Sequence, residues 1–306
     1  MATESIRLQK WLAEAGLCSR REGDKWIAAG RVMVNGSVVT QLGSKVTFKD
    51  QVLVDGRLVL PPREPLVILM LNKPPGVVCT RRDPENRRNV FDLLGNAHAR
   101  LISVGRLDYN SEGLILFTNN GDVAHQLMHP SNQVPRTYRV RAHGRIDPPM
   151  LARLQAGVVL DDGPTGPLQL ALDHVPGANS WVTITLTEGR NRLVRRIFES
   201  VEMEVSRLIR THYGQCSLGE LPRGEWRALQ ATEITRLLAP LKGASALLPL
   251  QHEPLPVVQA PIQRAKAVKP VKPERPAGRS QRLPDRITRT PSTKKFGMHH
   301  GRPKKT

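Results

Sequence analysis

At 306 residues and 39% hydrophobic content the chain has room for two domains and a real core, which its 4% aromatic content makes mostly Val, Leu and Ile. Its net charge of +19 points to a polyanionic partner. No apolar run spans a bilayer, no Lys-rich amphipathic helix carries bulky anchors, and Met1-Ala2-Thr3-Glu4-Ser5 lacks a signal-peptide pattern. The expectation is a cytoplasmic protein with a nucleic-acid partner and no membrane. Cys18, Cys79 and Cys216 are scattered without a Cys-x-x-Cys pair, so neither a disulfide framework nor a zinc knuckle is indicated.

The first 62 residues form a unit of their own. Ile6 to Ala15 has helical apolar spacing, with Gly16 placed to end it. Ser19 and Glu22 fit a capping box for a second helix that stops near Gly30. Arg31-Val32-Met33-Val34, the Asn35-Gly36 turn and Ser37-Val38-Val39 predict a β-hairpin of type I′, and a further strand pair turns at Asp55-Gly56. Arg20 and Arg21 sit in the first turn of the second helix, where the helix dipole disfavours cations. That placement suits a docked phosphate, a solvated basic turn being the alternative.

Pro61-Pro62-Arg63-Glu64-Pro65 is a stiff linker. Leu66 to Leu71 is a continuous apolar run and predicts a buried central strand, broken by Asn72-Lys73-Pro74-Pro75-Gly76; Lys73 and the prolines are assigned structure, not chemistry. Thr80 to Arg88 is a basic loop, either solvated or in contact with RNA. Leu101-Ile102-Ser103-Val104 and Gly113-Leu114-Ile115-Leu116-Phe117-Thr118 read as strands around a polar loop that carries Asp108. A carboxylate at the lip between two buried strands is fixed and partly desolvated, which suits a nucleophile or general base. A turn aspartate bonding its own backbone is the alternative.

Asp122 to Pro130 predicts a short helix on which His125 and His129 share a face, but Gln126 stands where a zinc hydrolase needs glutamate and no third ligand is near, so no metal is assigned. Val134 to Ala142 and Ser180 to Leu186 alternate as strands, and Tyr138 on the first reads equally as a core tyrosine. Asp161 and Asp162 are adjacent and cannot face one reacting atom from opposite sides, so they are a turn. Glu188 to Arg192 turns into a helix over Leu193 to Val201. The domain ends near Pro240. Residues 241–306 hold 15 Lys and Arg against 3 Asp and Glu, ten prolines and one aromatic, Phe296; they supply +12 of the +19 and are expected to be disordered.

Gly105-Arg106-Leu107-Asp108, followed by Ser111-Glu112-Gly113-Leu114 and Thr118-Asn119-Asn120-Gly121-Asp122, resembles the central motif of the pseudouridine synthases. Asn72 to Gly76, Arg136-Thr137-Tyr138, and Glu188 to Gly214 are similar to three further motifs of that family, in the family's order. The N-terminal helices and the Arg31-Val32-x-Val34-Asn35-Gly36 hairpin resemble an S4 RNA-binding domain, as in the branch that modifies ribosomal RNA. The resemblance implies Asp108 as the catalytic nucleophile, with Tyr138 packing on the target base, Arg195 pairing with Asp108, and Leu208 walling the base pocket. Arg106 would fill the space the base vacates or bind a phosphate. Arg20, Arg21, Lys25 and Arg31 are the RNA-binding candidates of the S4-like unit. The family's helix after the Arg195 motif often ends at glycine, and Glu202 stands there instead.

The expected architecture is α+β: an S4-like domain (5–62), a synthase domain with a mixed, largely antiparallel sheet flanked by helices (66–240), and a disordered basic tail (241–306). Cys79-Thr80-Arg81-x-Asp83-Pro84 and Val90-Phe91-Asp92 resemble the large-subunit branch of that family, which implies a 23S ribosomal RNA substrate, met naked or in an assembly intermediate, with the small-subunit (16S) one as the alternative. The expected enzyme is a monomer that needs no metal or nucleotide cofactor. A non-catalytic ribosome-assembly protein is the alternative, weakened by the presence of Asp108, Tyr138 and Arg195 together. A methyltransferase lacks support, because no glycine-rich cofactor turn is present.

Overall fold

The computed structural model describes residues 5–60, 65–95, 100–173 and 177–241. The basic tail and residues 61–64 of the linker lie outside them. The N-terminal unit runs β1 (Ser5–Arg7), α1 (Leu8–Glu14), α2 (Arg20–Ala28), β2 (Val32–Val34), β3 (Ser37–Val38), β4 (Lys45–Thr47), β5 (Val52–Val54) and β6 (Arg57–Leu58). Ser5-Ile6-Arg7 departs from the expected helix because it pairs with Lys45–Thr47, a partner that local spacing cannot reveal. The Ser19 hydroxyl accepts the Glu22 N–H at 3.2 Å, as the cap predicts. Asn35 and Gly36 have φ of 49° and 82°, and Asp55 and Gly56 48° and 78°, so each pair turns with both central residues left-handed, as type I′ demands. Leu8, Trp11, Leu12, Ile27, Val32 and Val52 close a small core.

The second domain continues with β7 (Ile68–Lys73), α3 (Val90–Leu94), β8 (Ile102–Val104), β9 (Glu112–Thr118), α4 (Gly121–Met128), a 3-10 turn at Pro130–Asn132, β10 (Arg136–Ala142), α5 (Pro148–Ala156), β11 (Val159–Leu160), β12 (Gly163–Pro164), β13 (Gln169–Asp173), β14 (Ser180–Leu186), α6 (Leu193–Glu199), β15 (Val205–Tyr213), β16 (Cys216–Ser217), β17 (Trp226–Ala228) and α7 (Ala231–Leu238). Its main sheet runs β13-β14-β10-β15-β9-β7-β17, with β16 on β15 and β8 on β9. Every recorded pairing is antiparallel except that of β15 with β9. Asp161 and Asp162 turn the β11–β12 hairpin, as read from the sequence.

Alternation along the strands gives the sheet two faces. On the front, Val140, Val182, Ile184 and Leu208 pack under α6, while Leu69, Leu71, Ile115 and Phe117 pack under α3 and Leu107. On the back, Ile68, Met70, Leu114 and Leu116 are covered by α4 and α7 through Val123, Leu127, Ile234 and Leu237. Lys10 of α1 reaches Asp122 at the start of α4, 2.7 Å away, and so joins the N-terminal unit to this domain. Among the described residues no helix is long and apolar enough to cross a membrane.

Candidate active site

Asp108 is half-buried on the loop between β8 and β9, two strands that pair antiparallel with Val104 opposite Leu116. The loop is fixed through its backbone. Ser111 N–H donates to the Asp108 carbonyl at 3.0 Å, Gly76 N–H to the Tyr109 carbonyl at 2.9 Å, and Leu107 N–H to Cys79 Sγ at 3.4 Å. Leu107 is itself buried among the front core residues. Burial of Leu107 and these bonds hold the loop.

Lys73 corrects the sequence reading. The break after Leu71 was expected to contain it, yet β7 continues through Lys73, whose side chain is 0% exposed. Its Nζ donates to the carbonyls of Pro74, Tyr109 and Ser111 at 3.1, 3.1 and 2.8 Å. A single ammonium thus ties the strand end to two carbonyls of the turn that follows Asp108. Desolvation lowers its pKa to about 8, opposed by the nearby Cys79, Asp108 and Glu112. The two prolines that follow suggested a turn; burial was decided by a loop far along the chain.

One cross-strand row sets the level of the site. Tyr138 on β10 is opposite Arg210 on β15, Arg210 opposite Gly113 on β9, and Gly113 opposite Lys73 on β7. Gly113 has φ of 98°, and a Cβ there would lie 2.3 Å from the Arg210 carbonyl oxygen, so only glycine fits. Arg210 is 2% exposed and donates from Nε to the Leu114 carbonyl at 2.7 Å. Its Nη2 and the Ser111 Oγ are buried without hydrogen-bond partners among the described residues.

The expected base-binding residues converge on the front. Tyr138 is half-buried and packs against both front clusters. Leu208, opposite Val140, is buried in the cluster that includes Ile197 and Phe198 of α6. Arg195 projects from the same helix, but no direct bond joins it to Asp108. Its Nη1 instead donates to the Val205 carbonyl at 2.8 Å, which fixes the guanidinium while Asp108 attracts it through space. Burial and the neighbouring Arg192 depress the Arg195 pKa; Asp108 works against them. Arg106 is exposed and has no hydrogen-bonded partner among the described residues.

Two features seat α6. Arg190 and Arg196 bind the Asp162 carboxylate, each with an Nη1 contact of 2.9 Å, and the Arg196 bonds hold that carboxyl down near a pKa of about 2. Past the helix, Glu202 takes the left-handed conformation, φ 61°, that a glycine would occupy freely.

In the N-terminal unit Arg20 and Arg21 are exposed at the start of α2, and the Lys25 side chain is 77% exposed, 3.5 Å from Glu22. Arg31 is already engaged: it binds both oxygens of Asp55 and lies 4.6 Å over the Trp26 ring. His125 and His129 stand with ring centroids 5.0 Å apart. Sequence reasoning missed Lys73, Arg210 and the buried Glu112, which binds Arg207 at 2.7 Å and Arg223 at 3.0 Å. The signal for all three was their place in stretches that resemble the family's motifs, Asn72 to Gly76, Ser111 to Leu114 and Glu188 to Gly214.

Residues 67–200 match the family described as RNA pseudouridylate synthase, and residues 6–52 match the S4 domain. The chain is 45% identical over 270 residues to ribosomal large subunit pseudouridine synthase B of Pasteurella multocida (strain Pm70), covering 86% of this chain and 76% of the relative. The protein of the same name from Yersinia pestis is 44% identical over 269 residues, 85% of this chain and 84% of that one. A solved structure described as a crystal structure of pseudouridylate synthase is 30% identical with a TM-score of 0.55, spanning 76% of this chain and 99% of that one.

Proposed function

The chain belongs to the pseudouridine synthase family of RNA isomerases, and on that premise we propose that it converts a uridine of large-subunit ribosomal RNA to pseudouridine, with Asp108 as the nucleophile. The observation that carries this is half-buried Asp108, on a loop anchored by the Lys73 ammonium and within the field of Arg195, next to Leu107, whose front cluster Tyr138 packs against. The similarity to enzymes named for the large subunit supports that substrate over the small-subunit one.

The isomerisation breaks the bond from ribose C1′ to uracil N1 and forms one from C1′ to C5; C5 gives up a proton and N1 gains one. The target nucleotide is stacked or paired, so it is flipped out at a cost of a few kcal/mol. Tyr138 and Leu208 pack the flipped base, and Arg106 fills the vacated space or binds a phosphate. Asp108 starts glycosidic cleavage, as nucleophile or as base. Arg195, fixed by Val205, supplies positive charge that stabilises the Asp108 carboxylate in a partly desolvated site. The S4 domain and its exposed Arg20, Arg21 and Lys25 orient the RNA through phosphate contacts.

The test is Asp108→Asn, which is nearly isosteric but can neither attack nor take a proton. Pseudouridine formed on ribosomal RNA in single turnover is expected to fall by roughly 10⁴-fold, with fold and RNA binding retained. Conversion at a tenth of the wild-type rate overturns the assignment of Asp108. Mapping pseudouridines in ribosomal RNA of a deletion strain identifies the uridine.

A further inference from the structure

The back face of the sheet is covered unevenly. Over β7 and β9 it carries α4 and α7. Over β10, β14 and β15 the residues that alternate with the buried front positions include Arg139, Arg141, Trp181, Thr183, Thr185, Arg207 and Ile209, and each keeps solvent exposure. They share the back face with Leu114 and Leu116, because Glu112, two positions before Leu114, reaches around to Arg207 at 2.7 Å.

Three arginines stand in this bare area, and only Arg141 lacks a carboxylate partner among the described residues. Arg141 lies directly opposite Arg207 across the β10–β15 ladder, a like-charge pair that costs sheet stability. Its other neighbour, on β14, is Trp181. The Arg141 side chain has no hydrogen bond or ion pair among the described residues and is exposed. Arg139 lies 4.7 Å over the Trp181 ring and is paired with Asp173 at 2.7 Å. Glu112 is 7% exposed and already shared between Arg207 and Arg223, so it cannot quench Arg141 as well. Asp173 and Glu112 offset Arg139 and Arg207, so the charge left over on this face is Arg141, set opposite another cation and open to solvent.

We propose that this half of the back face is a second RNA-binding surface, which grips the phosphodiester backbone of ribosomal RNA beyond the nucleotides that enter the Asp108 site. The proposal rests on the RNA reading above. Charge complementarity selects the occupant: the unpaired Arg141 guanidinium matches a phosphate in sign and in hydrogen-bonding geometry, and half-exposed Trp181 lies directly beside it across the ladder. An RNA held on both faces wraps the sheet edge, which lengthens the footprint without altering the chemistry at Asp108.

The experiment is Arg141→Glu beside Arg141→Ala in the full-length protein, with RNA affinity measured at several salt concentrations. A long ribosomal RNA fragment and a minimal stem-loop serve as the two probes. Loss of one phosphate contact lowers the salt slope by about 0.9, which is about eightfold in affinity at 0.1 M salt. Arg141→Ala is expected to show this on the long fragment, and Arg141→Glu a larger loss. On the stem-loop both variants match the wild type in affinity and in turnover at saturation. Arg141→Glu turns the like-charge pair with Arg207 into an attractive one, so its melting temperature holds or rises; weaker binding by a more stable protein cannot be a folding defect.

If both variants bind the long fragment within twofold of wild type with an unchanged slope, the proposal is overturned. It is also overturned if Arg141→Glu loses binding to ribosomal particles while binding stripped RNA normally, which would make the face a protein dock. Absence of pseudouridine with the wild-type enzyme would instead sink the catalytic reading and leave the binding difference standing.

Discussion

Lys25 on α2 and Lys73 at the end of β7 carry the same charge to opposite ends. The Lys25 side chain is 77% exposed and only loosely near Glu22, at 3.5 Å. Lys73 is 0% exposed and spends all three donors on backbone carbonyls. A cation in water can trade its hydration for a phosphate and release counterions, so its value lies in binding. A cation out of water cannot reach a ligand; its three bonds make it a brace. The N-terminal unit is rich in the first kind. The Asp108 site rests on the second, with Arg210 also buried and held by a carbonyl, while half-buried Arg195 stands between the two kinds.

That contrast breaks most visibly at Gly113, where the brace depends on two backbones in close approach. Gly113→Ala meets the Arg210 carbonyl and forces an unfavourable φ, at an expected cost of about 4 kcal/mol. Urea unfolding measures it, and a cost under about 1 kcal/mol would mean that the β9–β15 seam yields easily. Lys73→Met keeps the length and apolar stem but strands three buried carbonyls, for an expected loss of about 3 kcal/mol. Lys25→Ala is expected to leave stability within about 0.5 kcal/mol while lowering the salt slope of RNA binding by about 1.

A pH arm sharpens the same comparison. Burial holds Lys73 at about 8 in the folded protein, below the ordinary lysine value of about 10.4. Between those values the unfolded chain retains a proton that the folded chain has released. Stability therefore rises with pH across that window, by up to about 1.4 kcal/mol per unit. The difference between wild type and Lys73→Met isolates the effect; parallel pH curves for the two proteins would rule it out. A modest change of the opposite sign is expected at Glu202, exposed but left-handed at φ 61°. Glu202→Gly removes that strain and is expected to stabilise by about 1 kcal/mol, read as a rise in melting temperature.

The parts legible in the sequence were those settled by near neighbours. Asn35-Gly36 and Asp55-Gly56 turn hairpins because two adjacent residues suffice, and β14 reads directly from its alternation. Asp108 could be placed on its loop because apolar strands flank it on both sides. What stayed hidden depends on distant partners. Ser5–Arg7 is a strand only because of Lys45–Thr47. Lys73 is buried only because Tyr109 and Ser111 fold over it. Glu112 looks like an exposed motif residue until Arg207 and Arg223 close on it. Asp162 was read rightly as a turn, yet its clasp on Arg190 and Arg196, which seats the Arg195 helix, needed the fold.

The seam between β9 and β15 has a consequence for how the protein is made. Only two residue pairs join those strands, Ile209 with Glu112 and Arg210 with Gly113. The bond from Arg210 to the Leu114 carbonyl spans 96 positions of the chain. A translating ribosome needs roughly 5 to 20 seconds to cover that distance. During the interval Asp108 already exists, but the N-terminal half of β9, from Glu112 to Leu114, lacks its β15 neighbour and is an open strand edge. Until Tyr213 has left the exit tunnel, the loop that carries Asp108 stands on a sheet with one seam unmade.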